Sequence, residues 1–294
     1  MEPQVELSKT RDFGEIISDS IAFIRQNLKP LLSAFFVFCG IFLLVTAVAT
    51  IMQQIRLSEL INSVDYTSED RPSFSEFGLE TAVTLLFMML TYIAMPLTIL
   101  SFMALYKQKG NVAPTNEEVW GYFKYYFFKI LGSSVLNGIV LIIGFVFCFI
   151  PGIYLYPILG LIVPVIIVEN SGYSYAWDKS FRIIKENWWT VFGVLFVTGL
   201  MVSICSLIVN VPFQAIDLTK VYLHQIKDVH LTMVTVVLGT VLRQMAMVLH
   251  ILPMVALGIC YFSLTEAKDG TGLMDRIDQL GNNAADTPAP AEEY

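Results

Sequence analysis

Four polar residues stand inside or at the edge of long apolar runs: Glu169, Arg243, His250 and Asn137. Polar and ionisable groups at membrane depth are costly, and each is by default a candidate for function. Glu169 closes the run Gly152–Val168. A carboxylate there can bind an ion or a cationic headgroup or join a proton relay. It can also accept backbone N–H groups at the start of the next helix, where the helix dipole favours an anion, and this last role is the expectation. Arg243 lies within Leu231–Leu264, a run longer than one span. It either snorkels to the interface, or binds an anionic lipid or substrate, or pairs with a buried acid. His250 follows seven residues later, which places both on one helical face. Asn137 and Asn210 suit hydrogen bonds between helices, and Ser134-x-x-x-Gly138 and Gly199-x-x-x-Ser203 fit close helix contact.

Other chemistries lack their residues. The three histidines, His224, His230 and His250, form no H-E-x-x-H pattern, and the four cysteines are far apart, each inside an apolar run. Neither pattern suits a metal site or a redox pair. No Walker loop, dinucleotide fingerprint or nucleophile elbow is present. The expectation is a protein without cofactor, metal, nucleic-acid partner or enzymatic activity.

The elements that must position these residues are membrane spans. Of 294 residues, 55% are hydrophobic and 15% charged, against about 25% charged in an ordinary soluble domain. Several runs reach the roughly 20 residues that cross a bilayer. The fold class is all-α and polytopic, with six spans: Leu31–Met52, Thr81–Tyr106, Leu131–Ile150, Gly152–Val168, Val191–Val211 and about Val236–Phe262. Pro151-Gly152 reads as the turn of a tight hairpin between spans three and four. Residues 1–30 form an N-terminal segment, 31–264 the membrane domain, and 265–294 an acidic, Pro-rich tail expected to be disordered. Lys and Arg collect in the N-terminus, the loops after spans two and four, and the tail. Basic residues mark the cytoplasmic side, so both termini are expected there. About Gln53–Glu80 is then an outer loop.

A short pattern recurs before spans one, three and five. Ile17, Ile21, Ile24 and Leu28 share the spacing i, i+4, i+7, i+11 with Val119, Phe123, Tyr126 and Ile130, and with Trp177, Phe181, Ile184 and Trp188. The segment Ser20–Asn27, SIAFIRQN, also aligns with Ser180–Asn187, SFRIIKEN. The chain therefore reads as three units, each an amphipathic helix followed by two spans. Such helices lie in the lipid interface, with Trp177, Phe181, Trp188 and Trp189 as anchors. Ser171 or Ser174 is the expected cap of the third.

The stretch Pro164–Phe192, preceded by IPGIYLYPILGL, resembles a bacterial six-span integral membrane family. That family includes the YciC-like proteins and the membrane domain attached to some glycerophosphodiester phosphodiesterases. The positions carrying the resemblance are Pro151, Gly152, Glu169, Gly172, Ala176, Ser180 and Trp188-Trp189. The resemblance implies the six-span fold and a bacterial inner membrane. The phosphodiesterase's soluble catalytic barrel has no counterpart in the chain. Two functional readings follow: a non-enzymatic protein that binds or moves lipid or another small amphiphile, or an accessory subunit of a membrane complex. Membrane lipids are the expected partners in the first, and another membrane protein in the second.

Overall fold

The computed structural model describes residues 4–63, 78–147, 149–223 and 229–270. Among these the chain is all-α, without a strand: α1 (Phe13–Gln26), α2 (Leu28–Ser63), α3 (Gly78–Gln108), α4 (Asn116–Phe147), α5 (Phe149–Val168), α6 (Tyr173–Ile184), α7 (Trp188–Leu223), α8 (Val229–Ala246) and α9 (Ile251–Asp269). Six segments are long and apolar enough to cross a membrane: Leu28–Arg56, Glu80–Gln108, Asn116–Phe147, Phe149–Val168, Trp188–Ile216 and Met233–Asp269. The last is α8 and α9 joined by a 3₁₀ turn, Met247–His250. The expected tail beyond residue 270 and residues 64–77 of the expected outer loop lie outside the described residues, as do Cys148 and His224.

Local chemistry sets the helix ends. Asp12 and Glu15 form a capping box on α1, and Thr115 and Glu118 do the same on α4, with 2.7 Å from Thr115 N to Glu118 Oε2. Left-handed residues stop three helices: Gly110 and Asn111 after α3, Asn170 after α5 and Gly270 after α9. α6 starts at Gly172 with no side-chain cap, so neither Ser171 nor Ser174 has the expected role.

The core lies where α3, α5 and α9 meet. Residues 93–106, 157–167 and 255–264 are almost wholly buried. α1 packs on α9 and α7, while α6 packs on α5 and α9. At the far end of the α4–α5 hairpin, Phe147 and Phe149 are 85% and 68% exposed.

Several expectations are corrected. α4 runs to Phe147 and α5 starts at Phe149, so Pro151-Gly152 belongs to α5 and is not the turn between spans three and four. A Cβ on Gly144 would sit 3.3 Å from Gly152 Cα, so the pair serves close helix contact. The Ser134–Gly138 and Gly199–Ser203 motifs do not, because a Cβ at Gly138 or Gly199 would meet nothing within 4 Å. The middle short helix is not separate; it is the first half of α4. α2 also continues to Ser63, through part of the expected outer loop.

The recurring pattern keeps its spacing but changes phase in two copies. α1 buries Ile16, Ser20, Phe23 and Asn27, and leaves Ile21 and Leu28 45% and 46% exposed. α6 buries Ala176, Lys179, Ser180, Ile183 and Ile184. The α1 face falls one residue earlier than the apolar stripe, and so does the α6 face except at Ile184, which belongs to both. In α4 the expected Val119, Phe123, Tyr126 and Ile130 are all buried.

Overpacking a tight contact costs about 1–3 kcal/mol. Gly144→Leu is expected to lower stability by about that amount, and Gly138→Leu by less than about 0.5 kcal/mol. Reversible unfolding of the solubilised protein, both variants side by side, checks the contrast.

Candidate functional site

Glu169 leaves the end of α5 and enters a cluster built from α5, α6 and α9. Lys179 Nζ of α6 lies 2.8 Å from Glu169 Oε1, and its side chain is only 7% exposed. The Tyr261 hydroxyl of α9 donates to the same oxygen at 2.6 Å. The Tyr175 hydroxyl donates to Oε2 at 2.9 Å. Asp269 Oδ2, at the end of α9, is 3.2 Å from the same ammonium. The carboxylate thus takes side-chain donors and not the backbone N–H groups expected at the start of α6. Burial disfavours the charge on Lys179, but the hydrogen bond and field of Glu169, and then of Asp269, outweigh it and hold the pKa above the ordinary lysine value of 10.5. Lys268 Nζ reinforces the junction by donating to Arg182 O at 2.6 Å.

A second buried charge serves α1. The Arg11 side chain is 1% exposed, and its Nε donates to Asp19 Oδ2 at 2.7 Å. Its other N–H groups donate to the carbonyls of Glu6, Leu7 and Lys9. Its backbone N–H donates to Ser263 Oγ of α9 at 2.9 Å. A cavity of about 70 Å³ between Arg11, Asn187, Thr190 and Ser263 is too small for a lipid headgroup.

Sequence reading missed Lys179 and Arg11. Its one signal was the alignment of Ser20 with Ser180. The residues immediately before them, Asp19 and Lys179, are the two helix-borne charges in these pairs.

The other sequence candidates do not join Glu169. Arg243 Nε donates to Gly239 O of its own helix at 3.2 Å, and the residue is half-buried. Among the described residues no carboxylate forms an ion pair with it. His250 closes the 3₁₀ turn that follows α8, and its Nδ1 is buried without a hydrogen-bond partner. The continuous helical period assumed for the two residues therefore breaks. Asn137 does bridge helices: Tyr173 donates to its Oδ1 at 2.9 Å, and its Nδ2 donates to Leu159 O at 3.4 Å. Asn210 instead donates to Ser206 O within α7.

The aromatic candidates split. Trp177 and Phe181 pack on each other with centroids 5.1 Å apart and lie against the core. Trp188 donates its indole N–H to Tyr154 O and stacks on Tyr154. Tyr154 precedes Glu169 by about 22 Å of helix, so α6 folds back along α5. Trp189 is 77% exposed. Among the described residues no group of three or more His, Cys, Asp or Glu is placed to hold a metal ion.

Lys179→Met strands a buried carboxylate, and breaking such a pair costs about 3 kcal/mol. The double variant Lys179→Met/Glu169→Gln is expected to recover at least half of that, read by equilibrium unfolding. A raised lysine pKa stabilises fully below the unfolded value and is lost as pH rises through the folded one. The wild-type advantage over the double variant should therefore hold to pH 10.5 and fall only above it. Comparison of the chain with family models, with curated proteins and with solved structures finds no match.

Proposed function

We propose that the protein resides in a bacterial inner membrane with both termini in the cytoplasm, and binds or moves an amphiphile with an anionic headgroup without covalent chemistry. The observation that carries this reading is Arg243: a half-buried guanidinium among apolar segments, its Nε bonded to the backbone of its own helix and without a carboxylate partner among the described residues. A charge in such a place is expensive and is kept where it has a partner. A phosphate or carboxylate headgroup supplies one, because guanidinium and oxyanion form strong paired hydrogen bonds.

The aromatic and basic residues of α4 support a lipid-facing location. Lys124 Nζ lies 5.4 Å from the Trp120 ring centroid, and Lys129 Nζ lies 4.7 Å from that of Tyr125. Trp120, Tyr125 and Phe128 are exposed. Aromatic rings beside lysines are the composition of a membrane interface. On this reading the amphipathic first half of α4 lies at the cytoplasmic leaflet, and Arg243 sits in the outer part of its span.

Native mass spectrometry of the protein, extracted gently from its own membrane, tests the proposal. Wild type is expected to retain an anionic lipid or small molecule that Arg243→Gln loses. A stoichiometric protein partner, retained equally by both forms, would replace this reading with the accessory-subunit one.

A further inference from the structure

The first half of α4 runs beside the end of α3 and leaves a groove between them. Glu118, Gly121, Tyr122, Tyr125 and Tyr126 line it from α4, and Leu105 lines it from α3. The five α4 positions share one helical face. The groove holds about 480 Å³, within the range of about 300–1,000 Å³ typical of ligand sites. Three tyrosines and a leucine make it mostly apolar with a few polar groups, as such sites are. A Cβ on Gly121 would meet nothing within 4 Å, so the middle of the groove is open.

The side-chain acceptors around the groove are already engaged. Glu118 accepts from Lys109 Nζ at 2.9 and 3.0 Å and from Thr115 N at 2.7 Å. Gln108 Oε1 accepts from the Tyr122 hydroxyl at 2.9 Å, and Asn170 Oδ1 from Lys129 Nζ at 3.3 Å. The donors are not exhausted. The Tyr125 hydroxyl accepts from Lys129 Nζ at 3.5 Å and so keeps its own proton for another partner. Lys129 Nζ also stands 4.7 and 5.6 Å from the ring centroids of Tyr125 and Tyr126. Glu118 and Tyr125 are about 11 Å apart along α4, so Lys109 and Lys129 mark opposite ends of the groove. Residues 105–130 carry four lysines against two glutamates. Donors, surplus positive charge and aromatic walls suit an anion on an apolar body. An ammonium would meet two lysines and oxygens that already have partners.

We infer that the α3–α4 groove binds the headgroup of an anionic glycerophospholipid that carries no ammonium, of the phosphatidylglycerol type. The phosphate accepts from Lys129 and from the Tyr125 hydroxyl. The glycerol hydroxyls extend toward Lys109 and accept from it. The occupant is a lipid and not a soluble phosphate ester, because Trp120, Tyr125 and Phe128 of the same helix are exposed, and such rings beside lysines sit at a membrane surface. Basic pockets between membrane helices take anionic headgroups by the same chemistry. Its place in the cytoplasmic leaflet rests on the orientation proposed for α4, but the site uses none of the groups invoked for Arg243.

The test places the full chain in nanodiscs of equal phosphatidylglycerol, phosphatidylethanolamine and phosphatidylcholine, and counts retained lipids by native mass spectrometry. Phosphatidylglycerol is expected to be retained about tenfold over each of the others. Gly121→Trp should fill the groove and remove one phosphatidylglycerol per chain. Replacing a helical glycine beside open space should leave the fold at least as stable. Lys129→Gln adds no bulk and should cut the preference about fivefold. Arg243→Gln should leave the groove-bound lipid in place, so the two sites fail separately. Equal retention of the three lipids by wild type, an unchanged count in Gly121→Trp, or an unchanged preference in Lys129→Gln overturns the inference. Excess soluble glycerol phosphate tests the source: persistence of the bound lipid supports the assignment, and its displacement overturns it in favour of a soluble phosphate ester.

Discussion

One ammonium organises the end of the bundle that holds α1, α6 and the close of α9. Removing a lysine charge from water costs several kcal/mol unless carboxylates and hydrogen bonds replace the solvent. Lys179 meets that condition only while Glu169 of α5 and Asp269 of α9 both stay within reach. The cost of stranding the charge is what fixes α6 against its two neighbours. Apolar contact alone would be weak discipline here. In lipid, a leucine gains little by turning from the bilayer to a neighbouring helix.

The same logic appears with the sign reversed on α1. Asp19 occupies the place of Lys179, one residue before the matched serine, and takes Arg11 as its partner. Both arrangements reach α9, one through Ser263 and the other through Tyr261 and Asp269. α9 is therefore the common strut. Gly258 suits it to that role, because a Cβ there would fall 2.6 Å from Met103 Sδ of α3.

The six spans and the recurrence before three of them were legible, since length, hydropathy and spacing are local properties. The phase of α1 was not. Ile17, Ile21, Ile24 and Leu28 make the more apolar stripe, but spacing alone does not say which stripe packs inward. Ile21 and Leu28 stay exposed and Ile17 and Ile24 half-buried, while Ser20 and Asn27, small and polar, turn inward. In α4 the apolar and inward stripes coincide. Glu169 was singled out by its position, but its partner Tyr261 lies 92 residues away, and no local pattern supplies that. The α3–α4 groove was hidden for a related reason. Tyrosines in one run and a leucine in another mark no cavity until the helices are paired.

The bond from Arg11 to Ser263 spans 252 residues, and this has a bearing on biosynthesis. At about 5–20 residues per second, the N-terminal segment waits on the order of ten seconds to a minute before its partner emerges. The ties at that end made through Ser263, Tyr261, Lys268 and Asp269 all need α9. That end of the bundle therefore stays open until α9 has been made, and α9 closes it like a keystone.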